Sequence, residues 1–195
     1  IAIGFPFPFY GSNYPTLNIC ANGNIQFTTT AIAYSNTVLP ASAHGRALFM
    51  LWDDLMVGVG TPGGVYVQNF NNEYFVVEFD SVTNYSGSGN PKFQAILYAD
   101  GKIKFQYNSL GSQTPTVGIQ GAGTGSNFLQ YHFNGAGQPV VTGRAIWFWP
   151  PSGYPHDFAC TGITSPIGNQ APGTTVAVSA NFTNLGQVTE SSLVR

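Results

Sequence analysis

The chain has 195 residues, 43% of them hydrophobic and including 15 Phe and 10 Tyr, which is material for one sizeable core or for one domain plus part of a second. Charged residues are only 7%, against roughly 25% in an ordinary soluble domain, and six Lys+Arg with a net charge of −2 give no electrostatic footprint for nucleic acid. No apolar run nears the roughly 18 residues of a membrane span, and no basic amphipathic stretch points to direct membrane insertion.

The chain opens on Ile1-Ala-Ile-Gly-Phe without an initiator Met or a signal peptide, so localisation is not read from a leader. Ile1 to Phe9 is extended and punctuated by prolines, which suits a sheet edge. Leu17, Ile19 and Ala21 alternate up to Asn22-Gly23, a hairpin signal, and Ile25 and Phe27 continue beyond it. Thr28 to Gly45 is a long polar connection containing Asn36-Thr-Val-Leu-Pro40. Ala47 to Trp52 is a continuous apolar run that reads as a buried strand and ends in Asp53-Asp54-Leu55.

Val65 to Phe70 and Glu73 to Val82 flank the turn signal Asn71-Asn72. In the second segment Phe75, Val77 and Phe79 face one way, and Tyr74, Val76, Glu78 and Asp80 the other. Lys92 to Tyr107 is a half-buried hairpin. Phe93, Ala95, Leu97 and Ala99 share one face before Asp100-Gly101, and Ile103, Phe105 and Tyr107 share one after it. Asp-Gly predicts a two-residue type I′ turn there. Val117 to Gln120, Phe128 to Phe133 and Arg144 to Trp149 are three further strands. Turn signals recur at roughly 8–12 residues without helical period, which predicts an all-β, antiparallel two-layer sandwich or jelly roll of about ten strands.

Pro150 to Pro155 reads as a stiff connector between a domain at residues 1–149 and a segment at residues 156–195. In that segment Thr174, Val176, Val178, Ala180 and Phe182 lie on an alternating strand that lacks a complete sandwich. Its free edges and greasy face call for a partner: another protein chain, including a copy of itself, joined by strand addition.

Chemistry-bearing residues are sparse. Asp53, Asp54, Glu78 and Asp80 are four of the eight acids, and if clustered they would suit Ca²⁺, which wants roughly six to eight oxygens. The alternative is that Asp53 or Asp54 closes a turn on backbone N–H groups. His44, His132 and His156 show no metal or triad spacing, and no G-x-S-x-G elbow exists, so the chain is expected not to be an enzyme. Tyr74, Tyr98, Tyr131, Trp147 and Trp149 would stack on surface glycans if they share an open sheet face; otherwise they are cross-strand packing. Asn84 and Asn181 head N-x-S/T sequons. Cys20 and Cys160 are either one long-range disulfide or two buried thiols.

An ordered set of motifs gives these pieces a frame. It comprises Gly4-Phe-Pro-Phe-Pro-Phe-Tyr-Gly11, Asn22-Gly23-x-Ile25-x-Phe27, Asn36-Thr-Val-Leu-Pro40 and Trp52-Asp53-Asp54-Leu55. Gly64-Val-Tyr66, Phe75-Val-Val-Glu-Phe79, Asp100-Gly-x-Ile103-x-Phe105-x-Tyr107 and Val117-Gly-Ile-Gln120 follow. Over residues 1–149 this set resembles the nidogen-type extracellular β-sandwich module, especially its bacterial versions in large surface proteins. Residues 156–195, with His156-Asp-Phe, Pro172-Gly-Thr-Thr-Val-Ala-Val and Asn184-Leu-Gly186, resemble the first half of a CARDB-type, immunoglobulin-like adhesion domain.

The resemblance implies an extracellular or cell-surface, non-catalytic structural or adhesive module, as part of a larger surface protein or filament. A glycan-binding accessory domain of a secreted enzyme is the rival reading.

Overall fold

A computed structural model describes residues 1–58, 63–85, 88–125, 127–150, 158–166, 168 and 171–184. The chain divides into two compact units, Ile1–Pro150 and Pro151–Arg195. The first holds β1 (Ala2–Phe9), β2 (Ser12–Thr16), β3 (Asn18–Cys20), β4 (Asn24–Gln26), β5 (Ala47–Trp52), β6 (Leu55–Met56), β7 (Gly64–Phe70) and β8 (Tyr74–Asp80). It continues with β9 (Thr83–Asn84), β10 (Lys92–Tyr98), β11 (Ile103–Ser109), β12 (Thr116–Gln120), β13 (Phe128–Phe133), β14 (Ala136–Gly137) and β15 (Ala145–Phe148). The second unit holds β16 (Phe158–Ser165) and β17 (Ser179–Asn184).

The fold is the expected antiparallel sandwich. A five-stranded sheet in the order β15-β11-β10-β8-β7 faces a six-stranded sheet in the order β14-β13-β12-β5-β4-β3. Alternation decides which side chains enter the core. Phe75, Val77 and Phe79 of β8 pair with Leu97, Ala95 and Phe93 of β10 and turn inward, where they meet Ile25, Leu48, Met50, Val117 and Ile119. Burial of each such large apolar side chain contributes roughly 1.5–3 kcal/mol. Tyr107 reaches across the layers and donates its hydroxyl to the Met50 carbonyl at 2.7 Å.

β5 is buried over all six residues because both its faces are covered. Its inner face joins the main core. Its outer face, with Ala47, Phe49 and Trp52, forms a second cluster with Leu39 and Ala41 from the long connection. That polar connection is held down by amides: the Ala41 N–H donates to Gln120 Oε1 at 2.8 Å and the Leu39 N–H to Gln130 Oε1 at 2.7 Å. Asn36 Nδ2 donates to the Thr114 carbonyl at 2.7 Å. The Asn36 to Pro40 motif is therefore a clamp over the middle strand.

The turn at Asp100-Gly101 differs from expectation. Leu97 pairs with Ile103, the Gly101 N–H donates to the Tyr98 carbonyl, and only Gly101 has positive φ, at 88°. The loop therefore has three residues, Ala99 to Gly101. A two-residue turn would set Leu97 against Lys104, whereas a three-residue loop sets apolar against apolar. The same solution recurs at Ala21 to Gly23, where Cys20 pairs with Asn24. The type I′ conformation appears instead at Asn71-Asn72, both at positive φ (53° and 59°).

In the second unit, β16 and β17 form a two-stranded antiparallel sheet. The strand expected from Thr174 to Phe182 is corrected: Thr174 to Val178 form no strand, and pairing covers only Ser179 to Asn184. β16 ends at Ser165 opposite Ser179, and the Pro166 that follows has no N–H to extend the ladder. Upstream, Gly173 takes φ 83° and the Thr174 N–H and hydroxyl both turn back onto the Ala171 carbonyl. Residues 151–155 of the expected connector and His156, Leu185 and Gly186 of the second resemblance lie outside the described residues.

Candidate functional site

The acids do not converge. Glu78 and Asp80 stand on the outer face of β8 and share one cation: Lys92 Nζ lies 3.0 Å from Glu78 and 3.1 Å from Asp80. Hydrogen bonds from Ser81 and then Lys92 hold the Asp80 carboxyl below the usual carboxylate range, and the Glu78 and Asp80 bonds push the Lys92 ammonium up. Asp53 instead closes the turn after β5, accepting from the Asp54 N–H at 2.8 Å and the Thr114 N–H at 2.7 Å. The four-acid calcium cluster is thereby corrected. Among the described residues no group of three or more His, Cys, Asp or Glu side chains is placed to hold a metal.

The two described histidines, His132 and His44, are structural. His132 bonds the Gln138 carbonyl and the Gly135 N–H. His44 is buried between Phe49 and Trp52, at 5.3 and 4.4 Å between ring centres, with no hydrogen-bond partner for either ring nitrogen. Burial pushes its pKa down. Asn84 is 4% exposed on β9, opposite Leu55, which leaves no room for a glycan in the folded chain; Asn181 is exposed on β17. Cys20 is buried in the first unit, Cys160 is exposed in the second, and both are free thiols. Among the described residues of the tail, Val178 (70%), Phe182 (38%) and, on β16, Ile163 (66%) are exposed large apolar side chains.

What does converge is aromatic. On the five-stranded sheet the inward set leaves Phe70 of β7, Tyr74 of β8, Tyr98 of β10 and Trp147 of β15 on the outer face. Sheet order and register bring them into one row that Trp149 extends. Ring centres are 4.7 Å apart for Phe70–Tyr74, 5.7 Å for Tyr74–Tyr98, 5.5 Å for Tyr98–Trp147 and 5.6 Å for Trp147–Trp149. β11 and the loop before it contribute cations to the row: Lys104 Nζ lies 5.0 Å over Trp147, and Lys102 Nζ lies 5.0 Å over Trp149. Four of the five aromatics proposed from sequence belong here. Tyr131 does not; it sits on the other sheet, accepting from Arg144 Nη1 at 2.8 Å. Phe70 was missed, although its position just before Asn71-Asn72 places it opposite Tyr74.

Beyond the aromatic end the face turns polar and carries Glu78, Asp80, Lys92 and Arg144 beside its amides. Gln94 donates to Gln106 at 2.7 Å across β10 and β11. Two shallow clefts follow the sheet. One of about 320 Å³ is lined by Tyr66, Phe70, Tyr74 and Val76. The other, about 350 Å³, is lined by Lys92, Gln106, Asn108 and Arg144, and the two meet at Glu78 and Gln94. The surface suits the docking of a ligand by stacking edges, amide hydrogen bonds and apolar contact.

No helix among the described residues is long and apolar enough to cross a membrane. Compared with known families, residues 1–148 match the one described as NIDO related. No curated protein and no solved structure matches the chain.

Proposed function

The chain belongs to the NIDO-related family, which points to an extracellular module, and on that premise we propose that it is a non-catalytic structural and adhesive module. Its working surface in this reading is the outer face of the five-stranded sheet. The observation that carries it is the row from Phe70 to Trp149, in which Trp147 stays 41% and Trp149 63% exposed although Lys104 and Lys102 lie over their rings. Exposed aromatic surface is costly to leave in water, and aromatic side chains are enriched where chains dock.

The test is retention of protein-coated beads on extracellular-matrix surfaces by wild type and by a Tyr98→Ser/Trp147→Ser double variant with unchanged circular dichroism. Loss of retention in the variant supports the face. Equal retention refutes it. In the finer form of the proposal the β16–β17 pair, with Ile163 and Val178 exposed, joins chains by strand addition into a filament. A strictly monomeric full chain on gel filtration would sink that form.

A second reading, glycan binding, is favoured by Tyr66 (58% exposed), which lines a cleft with Gln94, and by Trp149 (63% exposed) at the end of the aromatic row. Against it, the Phe70–Tyr74 and Tyr98–Trp147 rings stack on one another, and lysines cover the two tryptophans. A glycan array probed with wild type and Trp149→Ala separates the readings.

A further inference from the structure

Natural sheets protect their edges with short strands, charges, prolines or bulges, because an exposed edge pairs with any strand offered. The two large sheets of this chain have four edge strands: β3, β14, β15 and β7. The first three are three, two and four residues long. β7 is seven residues long, Gly64-Val-Tyr-Val-Gln-Asn-Phe70, with no proline, and none of the chain's six Lys+Arg or eight Asp+Glu falls in it. Its register to β8 runs without a bulge from Gly64 to Phe70. Among the described residues no strand pairs with its outer side. Val67 points to the core side of the sheet yet is 42% exposed, and Tyr66 on the opposite side is 58% exposed, so the centre of the strand is open on both faces; towards its ends Val65 packs on the core and Asn69 Nδ2 donates to the Ile3 carbonyl of β1 at 2.6 Å.

We propose that β7 is an isologous interface, and that its partner is β7 of a second copy of this chain, paired antiparallel about a two-fold axis through Val67. A two-fold axis sets the strand against a copy of itself, so like charges on a charged edge come close; β7 carries none. The register centred on Val67 uses all seven residues. It sets Val67 against the partner's Val67, Val65 against the partner's Asn69, Tyr66 against the partner's Gln68, and Gly64 against the partner's Phe70. Each bulky ring then meets an amide or a glycine, and the valines meet at the centre. The two five-stranded sheets become one ten-stranded sheet. Strand pairing uses backbone groups only, so this interface is independent of what the aromatic face binds.

The register makes the test specific. In a Cys160→Ser background, Val67→Cys places like residues directly opposite, roughly 4.5–5.5 Å apart at Cβ, close to disulfide reach. Mild oxidation is expected to give a covalent dimer. Tyr66→Cys alone and Gln68→Cys alone are expected to give no covalent dimer, whereas their equimolar mixture cross-links. Sedimentation of the unmodified full chain is expected to show a concentration-dependent dimer, and Val67→Lys to abolish it with unchanged circular dichroism. A chain that stays monomeric at every concentration overturns the proposal. So does a dimer that survives Val67→Lys, or a Val67→Cys protein that cross-links no better than Tyr66→Cys, the pattern of strand addition from elsewhere in the chain. If Val67→Lys fails to fold, the three cysteine variants decide the matter alone.

Discussion

Replacing Tyr107 by Phe removes one oxygen and tests how the two layers are joined. β5 is irregular where it meets both neighbours: the Gly23 carbonyl accepts from both the Met50 and Leu51 N–H groups, and the pairing with β12 slips between Phe49 and Trp52. Met50 sits in that slip, and its carbonyl faces the buried Tyr107 hydroxyl at 2.7 Å. Tyr107→Phe leaves that buried carbonyl without the hydroxyl, a cost of about 1–3 kcal/mol. At the roughly 2–4 °C per kcal/mol of domains of about 150–250 residues, the melting temperature should fall by about 2–12 °C.

Alkaline titration supplies a second readout. Burial raises the Tyr107 pKa well above its ordinary value. Its contribution to stability is therefore complete below the unfolded value of 10.0 and is lost as pH rises through the folded one. The gap between wild type and Tyr107→Phe in urea denaturation should be widest below pH 10 and narrow above it. A Phe variant as stable as wild type at pH 7, or a gap constant into the alkaline range, would refute this account of the sheet-to-sheet link.

Three further outcomes are expected. Gly11 and Gly23 share nearly the same φ, 75° and 76°, but a Cβ at Gly11 meets open space while one at Gly23 meets the Leu51 carbonyl. Gly11→Ala should therefore cost only the left-handed strain of about 1–2 kcal/mol, and Gly23→Ala clearly more; equal costs by denaturant titration would show that the backbone contact yields. His44 has its pKa lowered by burial, so stability is full above the unfolded value of 6.5 and declines as pH falls through it towards the folded value. His44→Leu should flatten that acid limb in melting curves taken from pH 8 to 4, and a limb of unchanged slope would exonerate the ring. Trp147→Ala removes ring contacts to both Tyr98 and Trp149 and uncovers Lys104. It should cost about 1–3 kcal/mol for two aromatic pairs, and Lys104→Ala clearly less; the reverse order in paired thermal melts would place the stabilisation in the cation.

The sandwich was legible because alternation is local. Phe75/Val77/Phe79 and Phe93/Ala95/Leu97 announce their inner face within seven residues each, and the six apolar residues of β5 require burial on both sides. What covers the outer side of β5 was not legible. The connection from Thr28 to Gly45 is polar, and its grip depends on Gln120 and Gln130, some eighty to ninety positions away. Asp100-Gly101 suits two loop lengths, and cross-strand pairing chose between them. Tyr74, Tyr98 and Trp147 could be assigned to outward faces, but their meeting depends on the order β15-β11-β10-β8, which no local pattern states. The acids failed as a group for the same reason: Asp53 lies beyond the end of β5 in one sheet, while Glu78 lies mid-strand in the other.

The double burial of β5 also sets an order of events during synthesis. Phe49 pairs with Asn24, already made, and with Gly118, which leaves the ribosome almost seventy residues later. At the roughly 5–20 residues per second of translation, the most apolar stretch of the chain waits several seconds for its second neighbour. Until then the β12 side of Ala47 to Trp52 has no strand to pair with.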